Sequence, residues 1–256
     1  MALHNLRTIA PDKIKKTVAK MAQLDPTARL HIHVSETLHE VAEVEAGLGA
    51  RPVQWLLDNV DLGANWTLVH ATHLDEAERR GTAQSGAVVG ICPLTEATMG
   101  DGFFPLVEYH LQGGAWGIGT DSHYSTSPAE ELRILECGKR LELKRRNVIA
   151  VPEGGRAVHS GRTLFDTALK GGEVASYQGG GALLAGRRAD LVMLDADSPV
   201  LLAHGPDTAL DAWILAGTEN PVRDVMVKGE WVVMNGHHKD EKEIARQFVR
   251  AMRTLT

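Results

Sequence analysis

Leu30-His31-Ile32-His33-Val34-Ser35-Glu36 reads as a short strand that ends in a histidine, with a carboxylate three residues further on. Alternate side chains of a strand share a face, so His31 and His33 point to one side while Ile32 and Val34 point to the other. His33 stands at the very end of the strand. Once the chain turns toward a helix, Glu36 can bend back over whatever His33 holds. A metal ligand followed by a proton carrier, at the end of a barrel strand, is the economical reading; two half-buried histidines of an ordinary strand are the plain alternative. The surrounding chain has to decide between them.

Outward from this stretch the chain alternates helix and strand. Residues 12–24 carry Ile14, Val18, Met21 and Ala22 at helical spacing. Residues 37–46 and 51–60 read as helices, the second opened by Pro52, and 66–70 reads as a strand ending in His70. A helix over 75–85 leads into 87–92, which is nearly all apolar, as a strand buried on both faces should be, and which breaks at Pro93. Residues 114–120 form the next strand and reach Asp121; Ser127-Pro128-Ala129-Glu130 then has a capping-box pattern that opens a helix to residue 146. Residues 2–10 read as a loop. Four strand-like segments thus end near His33, His70, Pro93 and Asp121, and in parallel α/β barrels the chemistry sits at the carboxyl ends of strands.

Beyond Asn147 the rhythm changes. Residues 162–170 predict one more helix, and the glycine-rich stretch 171–186 predicts turns between short strands; it lacks the Gly-Lys-Ser/Thr ending of a phosphate-cradling loop. Residues 190–194, 222–228 and 231–235 read as strands of a small β domain, the last two joined at Gly229, and 240–255 as a closing helix with the apolar stripe Ile244, Phe248 and Met252. The expected organisation is a barrel-type α/β unit over 1–180 and a small sandwich-type β domain plus helix over 181–256.

Composition narrows the function classes. A chain of 256 residues, 43% hydrophobic and 23% charged, can bury a sizeable core. A net charge of -6 advertises no face for nucleic acid, and the cluster of positive residues at 139–146 lies on a predicted amphipathic helix. No apolar run approaches the roughly 18 residues of a membrane span, and no apolar leader opens the sequence. Two cysteines, Cys92 and Cys137, are too few for a disulfide framework, so both are expected as core thiols in a cytoplasmic protein. The expected partner is a small molecule.

A metal-dependent hydrolase needs an ion that activates water, a carboxylate to take the water's proton, and an acid for the leaving group. His33 suits a metal ligand, Asp121 a shared ligand and base, Glu36 a proton shuttle, and His70 a charge-stabilising role. Nitrogen and carboxylate ligands together favour zinc or a similar divalent ion over calcium or magnesium.

His33-Val34-Ser35-Glu36, Leu68-Val69-His70 and Gly119-Thr120-Asp121-Ser122-His123 resemble strands 5, 6 and 8 of the amidohydrolase superfamily, whose members are metal-dependent (β/α)8 barrels. Supporting stretches are His4-Asn5-Leu6-Arg7, Leu94 through Gly102, Glu130-Glu131-Leu132-Arg133, Gly186 through Val192 and Val222 through Val227. The segments around Arg7 and from Thr95 to Gly102 are most similar to the formimidoylglutamate deiminase branch. The resemblance implies His33 and Asp121 as zinc ligands, one ion per site, with Glu36, His70 and Asp121 moving protons and stabilising charge. It implies that His4 and Arg7 hold the carboxylates of the substrate, N-formimidoyl-L-glutamate, since a guanidinium fork matches a carboxylate. The implied reaction, a step of histidine degradation, releases ammonia and leaves N-formyl-L-glutamate.

One departure from the superfamily pattern matters. Its strand 1 supplies a His-x-His ligand pair, and His31-Ile32-His33 is not that pair: too few strands separate it from Asp121, and Ser35-Glu36 matches strand 5. The expected fold is therefore the C-terminal half of the barrel, strands 5–8, with the small β domain and C-terminal helix. Such a chain is expected to be inactive alone, and to need a complementary half or to associate through its open edges, a homodimer being one outcome. The competing functions are another amino- or imino-hydrolase of the superfamily, of the purine or triazine deaminase type, and a non-catalytic fragment.

Overall fold

In the computed structural model, which describes residues 1–150, 158–176, 180–217 and 219–255, five short parallel strands lie side by side in chain order. They are β1 (Ala2–Leu3), β2 (Leu30–Val34), β3 (Trp66–His70), β4 (Val88–Ile91) and β5 (Ala115–Ile118). Each pairs with the next, so among the described residues β1 and β5 have one neighbour each and the sheet stays open. This is one strand more than the four read from the sequence. Ala2–Leu3 lies within the stretch read as a loop; two residues carry no period, and only pairing of Ala2 and Leu3 with His31 and Ile32 makes them a strand.

Helices follow the strands because the local chemistry starts and stops them there. After α1 (Pro11–Leu24) and β2, the Thr37 side chain accepts from the Glu40 N–H to open α2 (Leu38–Leu48), and Gly49, with φ +74°, closes it. Pro52 opens α3 (Pro52–Asn59), and Asp75 and Glu78 form a full capping box on α4 (Glu76–Ser85). Pro93 does more than break a strand: it is the first residue of α5 (Pro93–Met99). After α6 (Leu106–Leu111), unread in the sequence because six residues are too short for a periodic signal, Ser127 caps α7 (Pro128–Leu143) by accepting from Glu130 N–H.

α8 (Ser160–Ser176) is longer at both ends than the predicted 162–170. It continues through Gly171 and Gly172, the first residues of the stretch read as turns; residues 177–179 of that stretch lie outside the described ones. A Cβ at Gly171 would collide with the Trp116 carbonyl oxygen, so the missing side chain lets α8 press against β5. Here glycine serves close approach rather than a bend. The core between sheet and helices is filled by Ile14, Ile32, Leu56, Trp66, Leu68, Ile91, Phe104, Leu106 and Trp116, all buried.

A second sheet, antiparallel, comprises β6 (Leu191–Leu194), β7 (Val222–Val227), β8 (Glu230–Met234) and β9 (His237–His238), followed by α10 (Glu241–Met252). Lys228 and Gly229, with φ of +53° and +86°, make the tight β7–β8 turn. Between β6 and β7 runs a segment not read in the sequence: α9 (Ala209–Asp211) and a π-helical turn at Ala212–Ala216. Its Trp213 and Ile214 are buried, Trp213 lies 6.0 Å from the Phe165 ring of α8, and Arg133 of α7 donates to the Ile214 carbonyl at 2.6 Å. This piece of the 181–256 region packs onto the helices of the parallel unit. The stripe residues of α10, Ile244, Phe248 and Met252, are exposed.

Candidate metal centre and active site

The carboxyl ends of β2, β3 and β5 converge on one patch. His33 ends the exposed-side alternation of β2, and its Nε2 stands 4.0 Å from Asp121 Oδ1, beyond β5. The rings of His33 and His70 are 5.6 Å apart, and donor atoms of His33, His70 and Asp121 all lie within 4.8 Å of one another. Glu36 Oε1 approaches His70 Nε2 at 3.5 Å. The four residues read as a chemical set are therefore neighbours in space.

The backbone there is unusual. Ser35, His70, Ala71, Asp121 and His123 all have φ between +41° and +68°, a left-handed conformation that costs non-glycine residues about 1–3 kcal/mol each. His70 shows what this achieves. In the parallel register it pairs with Val34, and His33 with Val69, so plain alternation would turn the two histidines to opposite faces. With φ at +68°, His70 leaves the alternation and its ring comes to the His33 side.

Buried carboxylates fix these turns. Glu40, at 3% exposure, accepts from Ser35 N–H at 3.0 Å and from Glu36 N–H at 2.8 Å, which holds the backbone that carries Glu36. Burial pushes its carboxyl above the ordinary range despite those two donors. Glu96, at 3%, accepts from Cys92 N–H at 2.8 Å and meets His70 Nδ1 at 3.3 Å with the same oxygen. For His70, burial alone would lower the pKa, but the hydrogen bond to Glu96 and the charges of Glu36, Glu96 and Asp121 together raise it. Thr95 brackets Asp121: its hydroxyl donates to Thr120 O at 3.4 Å and accepts from Ser122 N–H at 3.2 Å. Asp101, just past α5, has its carboxyl pushed up to about 6, first by burial and next by Glu36.

Sequence reading gave Glu40 no part in the site, and named Thr95 and Glu96 only within the stretch of resemblance, with no role. A glutamate four residues past Cys92, directly after an apolar strand, was the available signal for the last. Of the two residues expected to bind carboxylates, His4 sits beside the centre, its ring 5.7 Å from that of His33 and its carbonyl 3.3 Å from His33 Nδ1. Arg7 points elsewhere at present: its Nε pairs with Glu43 of α2 at 2.7 Å, on the surface. Cys92 is buried, and burial raises its thiol pKa, so it is an inert core thiol as expected; Cys137 is half-buried.

Two imidazoles and a carboxylate suit a divalent transition ion. Donors about 2.0–2.2 Å from one ion stand up to roughly 4 Å apart, so side-chain shifts of some tenths of an ångström would let these three share it. His70, read from the sequence as a charge-stabilising group, has its donor atom inside the same cluster as the two expected ligands. Among the described residues no helix is long and apolar enough to cross a membrane.

The chain belongs to the amidohydrolase family, whose model matches residues 1–232. It is 45% identical over 255 residues, all of this chain and 55% of the relative, to formimidoylglutamate deiminase of Pseudomonas aeruginosa. It superposes with a TM-score of 0.89 and 42% identity on an amidohydrolase crystal structure from Brucella melitensis, covering 99% of this chain and 54% of that one. An adenosine deaminase from Xanthomonas campestris, solved with bound zinc, matches at 25% identity and a TM-score of 0.82, over 99% of this chain and 57% of that one. The chain spans about half the length of the curated relatives it matches.

Proposed function

We propose that this chain carries the proton-transfer side of a zinc-dependent formimidoylglutamate deiminase, its 1–180 region being the second half of a (β/α)8 barrel and 181–256 a small β domain. The observation that supports it most is the 45% identity along the whole chain to the P. aeruginosa deiminase, with His33, Glu36, His70 and Asp121 drawn together in space. The overall reaction adds water to the formimidoyl carbon of N-formimidoyl-L-glutamate and breaks its bond to the terminal nitrogen, giving N-formyl-L-glutamate and ammonia.

His33 and Asp121 would hold the zinc ion, with His70 Nε2 within reach. A bound zinc ion supplies Lewis acidity that lowers the pKa of coordinated water toward about 7. Glu36 takes a proton from the attacking water and delivers it to the leaving nitrogen, a transfer its turn after β2 and its 3.5 Å approach to His70 suit. His70, held between Glu36 and Glu96, stabilises charge at the reacting carbon. Arg7 exchanges Glu43 for a substrate carboxylate, and His4, beside His33, sets the near end of the substrate.

A second reading, a deaminase of flat heterocycles, draws on the zinc-bound adenosine deaminase. With two ligands, or three with His70, and an open sheet among the described residues, the isolated chain is expected to be without turnover in either reading. The test is complementation: express this chain with the segment of the P. aeruginosa relative that precedes the matched region, supply zinc, and follow ammonia release. The expected outcome is release from formimidoylglutamate by the pair and none by the chain alone. Release from adenosine instead would favour the second reading, and turnover by the chain alone would overturn the half-site assignment.

A further inference from the structure

The first turn of α5 bonds to His70 and to the residues on both sides of Asp121, and its most buried charge belongs to Glu96. Glu96 lies at 3% exposure, directly behind His70, which is itself 1% exposed. One oxygen, Oε1, both accepts from Cys92 N–H at 2.8 Å and meets His70 Nδ1 at 3.3 Å. The backbone donor fixes where that oxygen stands, because Cys92 N lies on the main chain between β4 and α5 and cannot rotate. The body of α5 is fixed as well: the buried Glu131 of α7 accepts from Leu94 N–H at 2.9 Å, and Thr95 ties the next residue to both sides of Asp121. A carboxylate is an acceptor without a donor of its own. The ring nitrogen that hydrogen-bonds to it, here Nδ1, must carry hydrogen.

We infer that Glu96 is a positioning residue that holds His70 as its Nδ1–H tautomer and so leaves Nε2 as the ring nitrogen presented to the centre. The inference deepens the proposed function, since it says how one of that site's groups is presented. The preference of a free imidazole runs the other way, toward hydrogen on Nε2, so the tautomer has to be imposed by a neighbour. The left-handed backbone of His70 brings the ring to the site, and Glu96 sets which nitrogen carries the proton.

The experiment is long-range ¹H–¹⁵N correlation of the imidazoles in this chain labelled with ¹⁵N, at a pH where His70 is neutral, with its signals assigned by their loss in His70→Gln. The wild-type chain should show His70 as the Nδ1–H tautomer. Glu96→Gln, whose amide oxygen can occupy the same place, should keep that pattern, whereas Glu96→Leu should move it toward Nε2–H while the signals of His31 and His110 stay put. In the complemented enzyme, Glu96→Leu should lower kcat by about 10- to 100-fold with little change in KM. An Nε2–H ring in the wild-type chain would overturn the inference without any variant, and so would an unchanged Nδ1–H ring in a folded Glu96→Leu chain. No substrate enters the tautomer measurement, so a failure of the deiminase reading, seen as ammonia from adenosine, remains distinct from a failure here.

Discussion

Glu36 Oε1 stands 3.5 Å from His70 Nε2, a carboxylate on the turn after β2 meeting an imidazole on the last residue of β3. Neither residue is near the other in sequence, and the pair exists because His70 leaves its strand's alternation with φ at +68°. Proton transfer through Glu36 is the direct expectation. Glu36→Gln keeps the side chain's shape and the backbone bonds to Glu40 but cannot exchange a proton. In the complemented enzyme, zinc content should be retained while turnover falls about 10²-fold or more. Loss of metal on this substitution would make Glu36 a ligand instead.

Arg7→Ala separates two consequences of one side chain. The Arg7–Glu43 pair is exposed, 41% and 45%, so its loss should change stability by less than about 1 kcal/mol in urea unfolding of the chain. Activity of the complemented enzyme on formimidoylglutamate should drop by about 2 kcal/mol in kcat/KM, roughly 30-fold, with a neutral amidine hardly affected. Equal losses on both substrates would remove Arg7 from carboxylate binding.

Glu131 sets a pH dependence of stability. Burial, the largest cause, raises its carboxyl pKa above the ordinary value, and the charges of Glu96 and Glu130 add to this against the Leu94 N–H donor. In the folded chain it therefore keeps its proton to higher pH than in the unfolded chain. Stability contributed by this group is full below the ordinary glutamate range and is lost as pH rises through the folded value. Glu131→Gln, which retains an acceptor for Leu94, should gain stability relative to wild type at pH 7 compared with pH 4. Urea titrations at the two pH values check the sign; a relative gain at pH 4 would reverse it.

Gly171→Ala tests the seam between α8 and β5. The added methyl meets the Trp116 carbonyl, which belongs to sheet backbone and cannot yield without moving the strand. A loss of about 1–3 kcal/mol is expected, measured as a lower urea midpoint at unchanged slope. Gly172→Ala, with open space around its Cβ, is the control and should leave the midpoint nearly unmoved.

Much of the frame was legible in the sequence because it depends on near neighbours. Apolar runs, capping residues and prolines mark β2 to β5 and most helices, and the ends of those strands already carried His33, His70 and Asp121. The short elements were not legible: β1 and β9 have two residues each and exist only through their partners, and the 209–216 segment is a helix because α7 and α8 bury Trp213 and Ile214. Gly171 looks like a turn residue until the strand it admits is known. At the site, sequence determined which groups could do chemistry, since residue type sets whether a side chain ligates, donates or carries a proton. Only the tertiary structure decided which of them meet. A two-residue period would turn His70 away from His33, and a left-handed φ, held in place by packing and by the buried Glu96 behind the ring, turns it back.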